Sequence, residues 1–289
     1  MKKLYRIIFP LIIIITIFVW TEIAKSPEGD ALSVYFLNVG QGDAVLIQKN
    51  DQEILIDGGP SGEIANILGG ILKSTDRKIE TVILTHPHSD HLAGINKIID
   101  HYEIGQIYFT GAIHTSNQYL EFLEKVKNKN IKLTVPAINE QKNFLPNSSI
   151  TFLWPGDQFS QKTVENLNDT SLISQFCYFK QCLFAPGDAE VRGQNEMFSY
   201  YEKNFPDFNF HSILLKVSHH GSSNAANPKL YEKVLPKYSI ISVGEGNTYG
   251  HPHPSSLELA KNFNSQILRT DTEGTVRFIL TQEGVVQNP

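Results

Sequence analysis

Six consecutive residues, His86-Pro87-His88-Ser89-Asp90-His91, constrain this 289-residue chain more than any other feature. They follow Thr81-Val82-Ile83-Leu84, a β-branched apolar run that reads as a short buried strand. They lead into Leu92 to His101, whose apolar spacing is helical. A strand that turns tightly into a helix is a unit of an α/β sheet, and ligand sites collect at such turns. Three imidazoles and a carboxylate on one loop suit Zn²⁺, Mn²⁺ or iron. Four donors within six residues exceed what one ion accepts from a single rigid loop, so the pattern predicts two divalent ions. Pro87 fixes one backbone angle and helps to pre-set the loop. A surface histidine cluster of the purification-tag kind would neither follow a buried strand nor carry an Asp at this spacing.

The rest of the chain reads as the scaffold for that turn. Its length suits one large α/β domain or two small ones. Strands are expected at Leu32 to Asn38, Ala44 to Gln48, Glu53 to Ile56 and Gln106 to Phe109, and helices at Ile64 to Leu72 and Asn117 to Lys127. The second half repeats the style. A hairpin is expected at Ser171 to Phe179 and Cys182 to Ala185, and a helix at Glu190 to Tyr201. Strands follow at Ser212 to Val217, Tyr238 to Val243, Gln266 to Arg269 and Thr275 to Leu280, with helices at Pro228 to Val234 and Ser255 to Asn262. Two β-rich halves, each with helices, imply two sheets packed face to face with helices outside. The polar stretch from Asn128 to Ser149 reads as a surface excursion.

A net charge of −5 excludes a globally basic nucleic-acid binder, so any grip on phosphate must come from a metal or a local patch. The N-terminus departs from the globular composition. Lys2, Lys3 and Arg6 precede an apolar run from Ile7 to Trp20 interrupted only by Thr16. That is the shape of an export signal, and the run is just long enough to cross about 30 Å of hydrocarbon. No small-x-small cleavage pattern follows Trp20, which favours an uncleaved anchor with its N-terminus inside over a removed signal. Residues 1–25 are therefore expected to be an anchor or signal, and residues 26–289 the extracytoplasmic domain, joined through Ser26-Pro27-Glu28-Gly29-Asp30. Cys177 and Cys182, the only cysteines, would face one another across the hairpin, as a disulfide or as two buried thiols.

The run Thr85 to His91 resembles the HxHxDH signature of metallo-β-lactamase-fold hydrolases. The resemblance implies an αββα sandwich and a binuclear centre of zinc or manganese ions, with His86 and His88 on the first ion and Asp90 and His91 on the second. Leu55-Ile56-Asp57-Gly58-Gly59 is similar to the family's strand ending in Asp-Gly-Gly, where Asp57 would support the ligands. Three further segments resemble the extracytoplasmic metallo-β-lactamase-like domain of the DNA-uptake protein ComEC: Phe36 to Ala44, Leu215 to Ser222 and Tyr249 to Pro254. That similarity spans roughly residues 32 to 280. With a single apolar span, the chain is expected to be a free-standing relative of that domain.

The same resemblance implies that Asp188, in Pro186-Gly187-Asp188-Ala189-Glu190, bridges the two ions. It implies that His220 is a ligand while His219 and Glu190 face substrate. Adjacent side chains leave a strand end in different directions, so at most one of the two histidines points straight at the metals, and the reverse assignment stays open. One departure stands out. No third histidine for the first ion is found between residues 92 and 187: His101 follows a helix and His114 lacks the expected context. Asn166, Asn168 and Asp169 precede a strand where ComEC-like sequences carry a polar pair, so water or Asp169 would complete that site. Lys216 and Ser222 are candidate phosphate contacts, although Lys216 could equally face solvent. His251 and His253 are late ligands, phosphate contacts or parts of a structured turn.

The implied chemistry is hydrolysis by a metal-activated water. The leading substrate is a phosphodiester, with single-stranded DNA the candidate partner. A lactone, β-lactam or ester hydrolase and a non-catalytic metal- or nucleic-acid-binding module are the alternatives.

Overall fold

The computed structural model describes residues 2–24 and 30–288, with the backbone alone at 2–5, 7 and 22–24. The expected linker lies outside the described residues apart from Asp30.

The chain starts with helix α1 (Lys2–Ala24), followed by β1 (Leu32–Phe36), β2 (Val45–Lys49) and β3 (Gln52–Ile56). Next come α2 (Glu63–Ile71), β4 (Lys78–Ile83), α3 (Ser89–His101), β5 (Glu103–Tyr108), α4 (Asn117–Asn128) and β6 (Lys132–Thr134). The second half runs through β7 (Glu140–Lys142), β8 (Ser148–Trp154), β9 (Ile173–Tyr178), β10 (Gln181–Ala185) and α5 (Val191–Asn204). It continues with β11 (Leu214–Lys216), α6 (Pro228–Val234), β12 (Tyr238–Ile241), α7 (Pro254–Asn262) and β13 (Gln266–Arg269). A short α8 (Thr270–Glu273), β14 (Val276–Leu280) and β15 (Val285–Asn288) close the chain.

One sheet has eight strands in the order β15-β14-β1-β2-β3-β4-β5-β6, and the other has seven in the order β13-β12-β11-β10-β9-β8-β7. Each is antiparallel in one part and parallel in the other: β3 to β6 in the first, β10 to β13 in the second. The inner faces share one core, in which Phe36, Ile47 and Phe278 meet Phe152, Phe176 and Leu214. The outer face of the first sheet buries Leu68, Ile95 and Phe122 of α2, α3 and α4. The outer face of the second buries Phe198, Leu230 and Leu259 of α5, α6 and α7. This is the expected sandwich with helices outside.

Several expectations need correction. The supposed surface excursion supplies β6 and β7, and at its end begins β8, a seven-residue strand paired to β9. β8 is buried on both faces, so it lacks the alternation that marks a strand with one wet side. Helix α3 starts at Ser89, so the last three residues of the histidine run form its first turn. Cys177 and Cys182 face each other in the β9–β10 register and are joined as a disulfide. Among the described residues no helix is long and apolar enough to cross a membrane, so the expected span is not shown. The described part of α1 is nonetheless apolar and exposed, with Phe9 at 67% and Trp20 at 68%.

Two glycines set the spacing of the parts that carry the histidine run. A Cβ on Gly94 of α3 would lie 1.8 Å from the Gly58 carbonyl oxygen, so α3 can sit against the turn after β3 only without one. A Cβ on Gly42 would meet the Asp90 carbonyl oxygen at 2.3 Å, which is how the loop after β1 comes to rest on the first turn of α3. The Asp43 amide then donates to that same carbonyl at 3.2 Å.

Candidate metal centre

The site lies where the carboxyl ends of the parallel strands of both sheets converge, the usual place for ligands in open α/β sheets. Asp57 follows β3, His86 to His91 follow β4, Asp188 follows β10, and His219 and His220 follow β11.

Asp188 is the hub. Its Oδ2 lies 3.2 Å from His91 Nε2 and 3.4 Å from His220 Nε2, while His220 Nε2 is 3.2 Å from Asp90 Oδ2. Ligand atoms of Asp90, His91, Asp188 and His220 all fall within 4.8 Å of one another. On the other side of His91, His86 Nε2 and His88 Nδ1 meet at 2.9 Å. The six residues expected to hold metal are thus brought together.

The supports orient these groups. Asp57, in the left-handed region at φ 59°, accepts from the Thr85 amide at 2.8 Å and the Thr85 hydroxyl at 2.7 Å. Its Oδ2 also accepts from His91 Nδ1 at 2.8 Å, which leaves His91 Nε2 facing Asp188. His220 Nδ1 donates to the Ser242 carbonyl at 2.9 Å and lies 3.2 Å from Asp43 Oδ1, so its Nε2 is likewise presented inward. Asp43 was not assigned a role from sequence, although it ends the glycine-rich run Gly40-Gln41-Gly42. That run after an apolar strand was the available signal.

His219 and His220 both adopt left-handed backbone angles, φ 48° and 53°, which non-glycine residues rarely take. The turn separates the two rings. His220 is buried, whereas His219 is 21% exposed at the mouth, with Nε2 3.9 Å from Asp188 Oδ2 and Nδ1 3.7 Å from Glu190 Oε1. Glu190 is held in turn by Asn166 Nδ2 and Asn168 Nδ2, each at 3.1 Å. A carboxylate only accepts, so the Asn168 amide nitrogen must face Glu190 and its Oδ1 must face away. That Oδ1 is buried and unpartnered, and Asn168 lines a cavity of about 490 Å³ together with His88, Asp90, Asp188, His219, His220 and His251.

Charge fits cations. Burial alone would lower the pKa values of His91 and His220, but Asp188, followed by Asp57 for His91 and Asp43 for His220, carries both well above the ordinary histidine value. Burial would raise Asp188, yet His220 and His91 hold it well below the carboxylate range. Without a cation the two imidazoles hold protons among the carboxylates, and a divalent ion would replace those protons. Asn168 Oδ1 is buried with no hydrogen-bond partner, an orphaned acceptor on a residue that lines the same cavity. The donor set of imidazole and carboxylate therefore fits divalent ions.

Four expected contacts take other roles. Lys216 is 2% exposed and forms an ion pair with Asp43, with Asp188 Oδ1 at 3.6 Å, so it faces the interior and neither solvent nor the open cavity. Asp169 is bound to Arg192 at 2.6 Å and to the amides of Glu190 and Gly193 at 3.3 Å, which caps the start of α5 and removes it from the ligand set. Ser222 is buried, and its hydroxyl accepts from the Asn224 amide. His253 caps α7 by accepting from the Ser255 amide. His251 lines the cavity. His101 and His114 lie outside the cluster, His114 being bonded to Ser116 at the start of α4.

A sandwich of this topology with a histidine–aspartate centre at its strand ends defines a class of metal-binding hydrolase folds. The profile of the metallo-beta-lactamase superfamily matches residues 37–245, and the chain belongs to that superfamily. Its relatives include ComE operon protein 3 of Bacillus subtilis, 23% identical over 88% of this chain and 33% of that protein. They include Competence protein ComA of Neisseria gonorrhoeae, 26% identical over 90% of this chain and 34% of that protein. These are ComEC-family proteins, and the chain spans about a third of their length. Among solved structures, YhfI from Bacillus subtilis has the same fold, with a TM-score of 0.52 and 16% identity over 83% of this chain and 96% of that one.

Proposed function

We propose that the protein is an extracytoplasmic phosphodiesterase that acts on single-stranded DNA with two divalent ions, zinc or manganese, at the Asp188 cluster. The observation that carries the reading is the placement of His219. It sits at the cavity mouth beside the metal-ligand hub, held by Glu190 and Asn168 and free of the inner ligand set. His86 and His88, with Asp188 and the carbonyl of Asn168, would hold the first ion; Asp90, His91, Asp188 and His220 would hold the second. Bound there, the ions would lower the pKa of a shared water and polarise the phosphoryl group. The protein's own part is to hold and hand over a proton. In this reading His219, backed by Glu190, would protonate the leaving oxygen, and the cavity would orient the strand. Support for DNA comes from the competence names of the relatives, and support for export from the Cys177–Cys182 disulfide and the apolar N-terminal helix.

Elemental analysis and turnover test this together. The purified protein should hold close to two divalent ions per chain and hydrolyse bis(p-nitrophenyl) phosphate and single-stranded DNA with Mn²⁺ or Zn²⁺. Asp188→Ala should lower the content of both ions. His220→Ala should lose metal, whereas His219→Ala should keep metal and lose about 10²–10⁴-fold in turnover. Hydrolysis of lactones only, or bound metal with no turnover, would replace the reading with one of its two alternatives.

A further inference from the structure

Beyond the metal ligands, one feature of the cavity mouth has no part in the hydrolytic step. Tyr249 is 71% exposed, the most exposed large apolar side chain among the described residues 30–288. A single exposed aromatic is ordinary. This one is unusual in being stacked and in lining the catalytic cavity. Its ring lies 5.9 Å from that of His251 at an interplanar angle of 25°. His251 lies 6.3 Å from His220 at 28°. Successive ring contacts, His220 to His251 and His251 to Tyr249, therefore lead from the buried His220 out to solvent.

The loop that presents them is braced. Asn247 donates to the Gly244 carbonyl at 3.1 Å and to the His251 carbonyl at 2.7 Å, and it accepts from the His251 amide at 3.1 Å. Farther along, the His253 amide donates to the Gly221 carbonyl at 2.8 Å, which ties the loop to the turn that carries His219 and His220. A braced aromatic face at the edge of the cavity is suited to receive another flat ring.

We propose that Tyr249, backed by His251, is a stacking platform for a nucleobase next to the phosphodiester being cleaved. This rests on the phosphodiesterase reading and narrows it to strands whose bases are free to leave a stack. Every base has a π face, so such a platform tolerates any sequence, while duplex bases are already stacked and unavailable. It also gives an acidic protein a source of affinity for DNA that needs no basic surface.

Equilibrium binding reads the platform independently of catalysis. Fluorescence anisotropy of the full-length, Mn²⁺-loaded protein would compare a labelled single-stranded oligonucleotide with an abasic strand of the same length. Wild type should bind the base-bearing strand about tenfold more tightly, the scale of one stacked base. Tyr249→Ala should bring the ratio near one, and Tyr249→Trp should restore it. A wild-type ratio near one, or a full ratio in Tyr249→Ala, overturns the platform. Cleavage of the same strands is measured in parallel. A tenfold ratio without cleavage removes the phosphodiesterase reading alone, cleavage with a ratio near one removes the platform alone, and neither binding nor cleavage removes both.

Discussion

Lys216 and Asp43 show how much of the site depends on residues that never meet substrate. Both are almost fully buried, and their ion pair lies against Asp188 and His220. Burial opposes charging of the lysine, but Asp43 and then Asp188 raise its pKa, so it stays cationic. Removing one member of a buried pair strands the other charge, typically at about 3–5 kcal/mol, whereas removing both is far milder. In EDTA, Lys216→Met should therefore lose stability on that scale by chemical denaturation, and Asp43→Asn/Lys216→Met should recover part of the loss. Additive losses in the two single variants and the double would show that the pair is not coupled. The residues that cluster at the candidate metal centre were readable from sequence because they sit in short local patterns: His86 to His91, Asp188 after Gly187, and His220. Asp43 and Asn168 were harder to place. The first acts through a fold-back of the loop after β1, and the second through an amide orientation that Glu190 imposes from 22 residues away.

At the scale of elements, strand β3 carries an ionisable group in an unusual state. Glu53 is fully buried; burial, reinforced by Asp76, Glu80 and Asp51 against the Gln48 hydrogen bond, raises its pKa from 4.5 to about 8. The folded protein thus keeps this proton where the unfolded chain gives it up. Its contribution to stability is complete below about pH 4.5 and is lost as pH rises through about 8. Glu53→Gln keeps the acceptor for Gln48 Nε2 and removes the titration. Calorimetry should show the variant melting about 5 °C or more above wild type at pH 8.5, with the gain shrinking toward pH 5. A gain that does not vary with pH would mean that Glu53 ionises normally. Strands such as β3, and the helices Pro228–Val234 and Asn117–Asn128, were visible through residue type and apolar spacing, and the structure adds the caps at Ser116 and Asn227. The strands that escaped notice were β6 and β7, three residues each, the doubly buried β8 and the four-residue β15. They are too short, or too evenly buried, for their own pattern to announce them.

At the scale of the whole molecule, the two sheets and their helices bury their apolar surfaces against one another, while the described side chains of α1 do not. Ile12, Ile14, Ile17, Phe18 and Trp20 are all more than half exposed. Each such side chain gains about 1.5–3 kcal/mol when taken fully out of water, so water is a poor final environment for this helix. The proposed export of the domain would put this helix at a lipid surface, and Arg6 on its N-terminal side would then favour keeping that end in the cytoplasm. The domain after α1 would then face outward, where the Cys177–Cys182 disulfide can form and persist. In intact cells, an impermeant protease should digest the domain, and high-salt washes should leave it with the membrane fraction. If α1 is removed as a signal, the mature chain should begin near residue 25 and appear in the soluble exported fraction. Protection from protease until the cells are lysed would place the domain in the cytoplasm and defeat both versions. The disulfide offers a second, independent readout of the same question, because Cys177 and Cys182 should resist alkylation in protein taken from cells quenched in acid if the domain is exported. Ready alkylation of both thiols would agree with protease protection and with a reducing compartment.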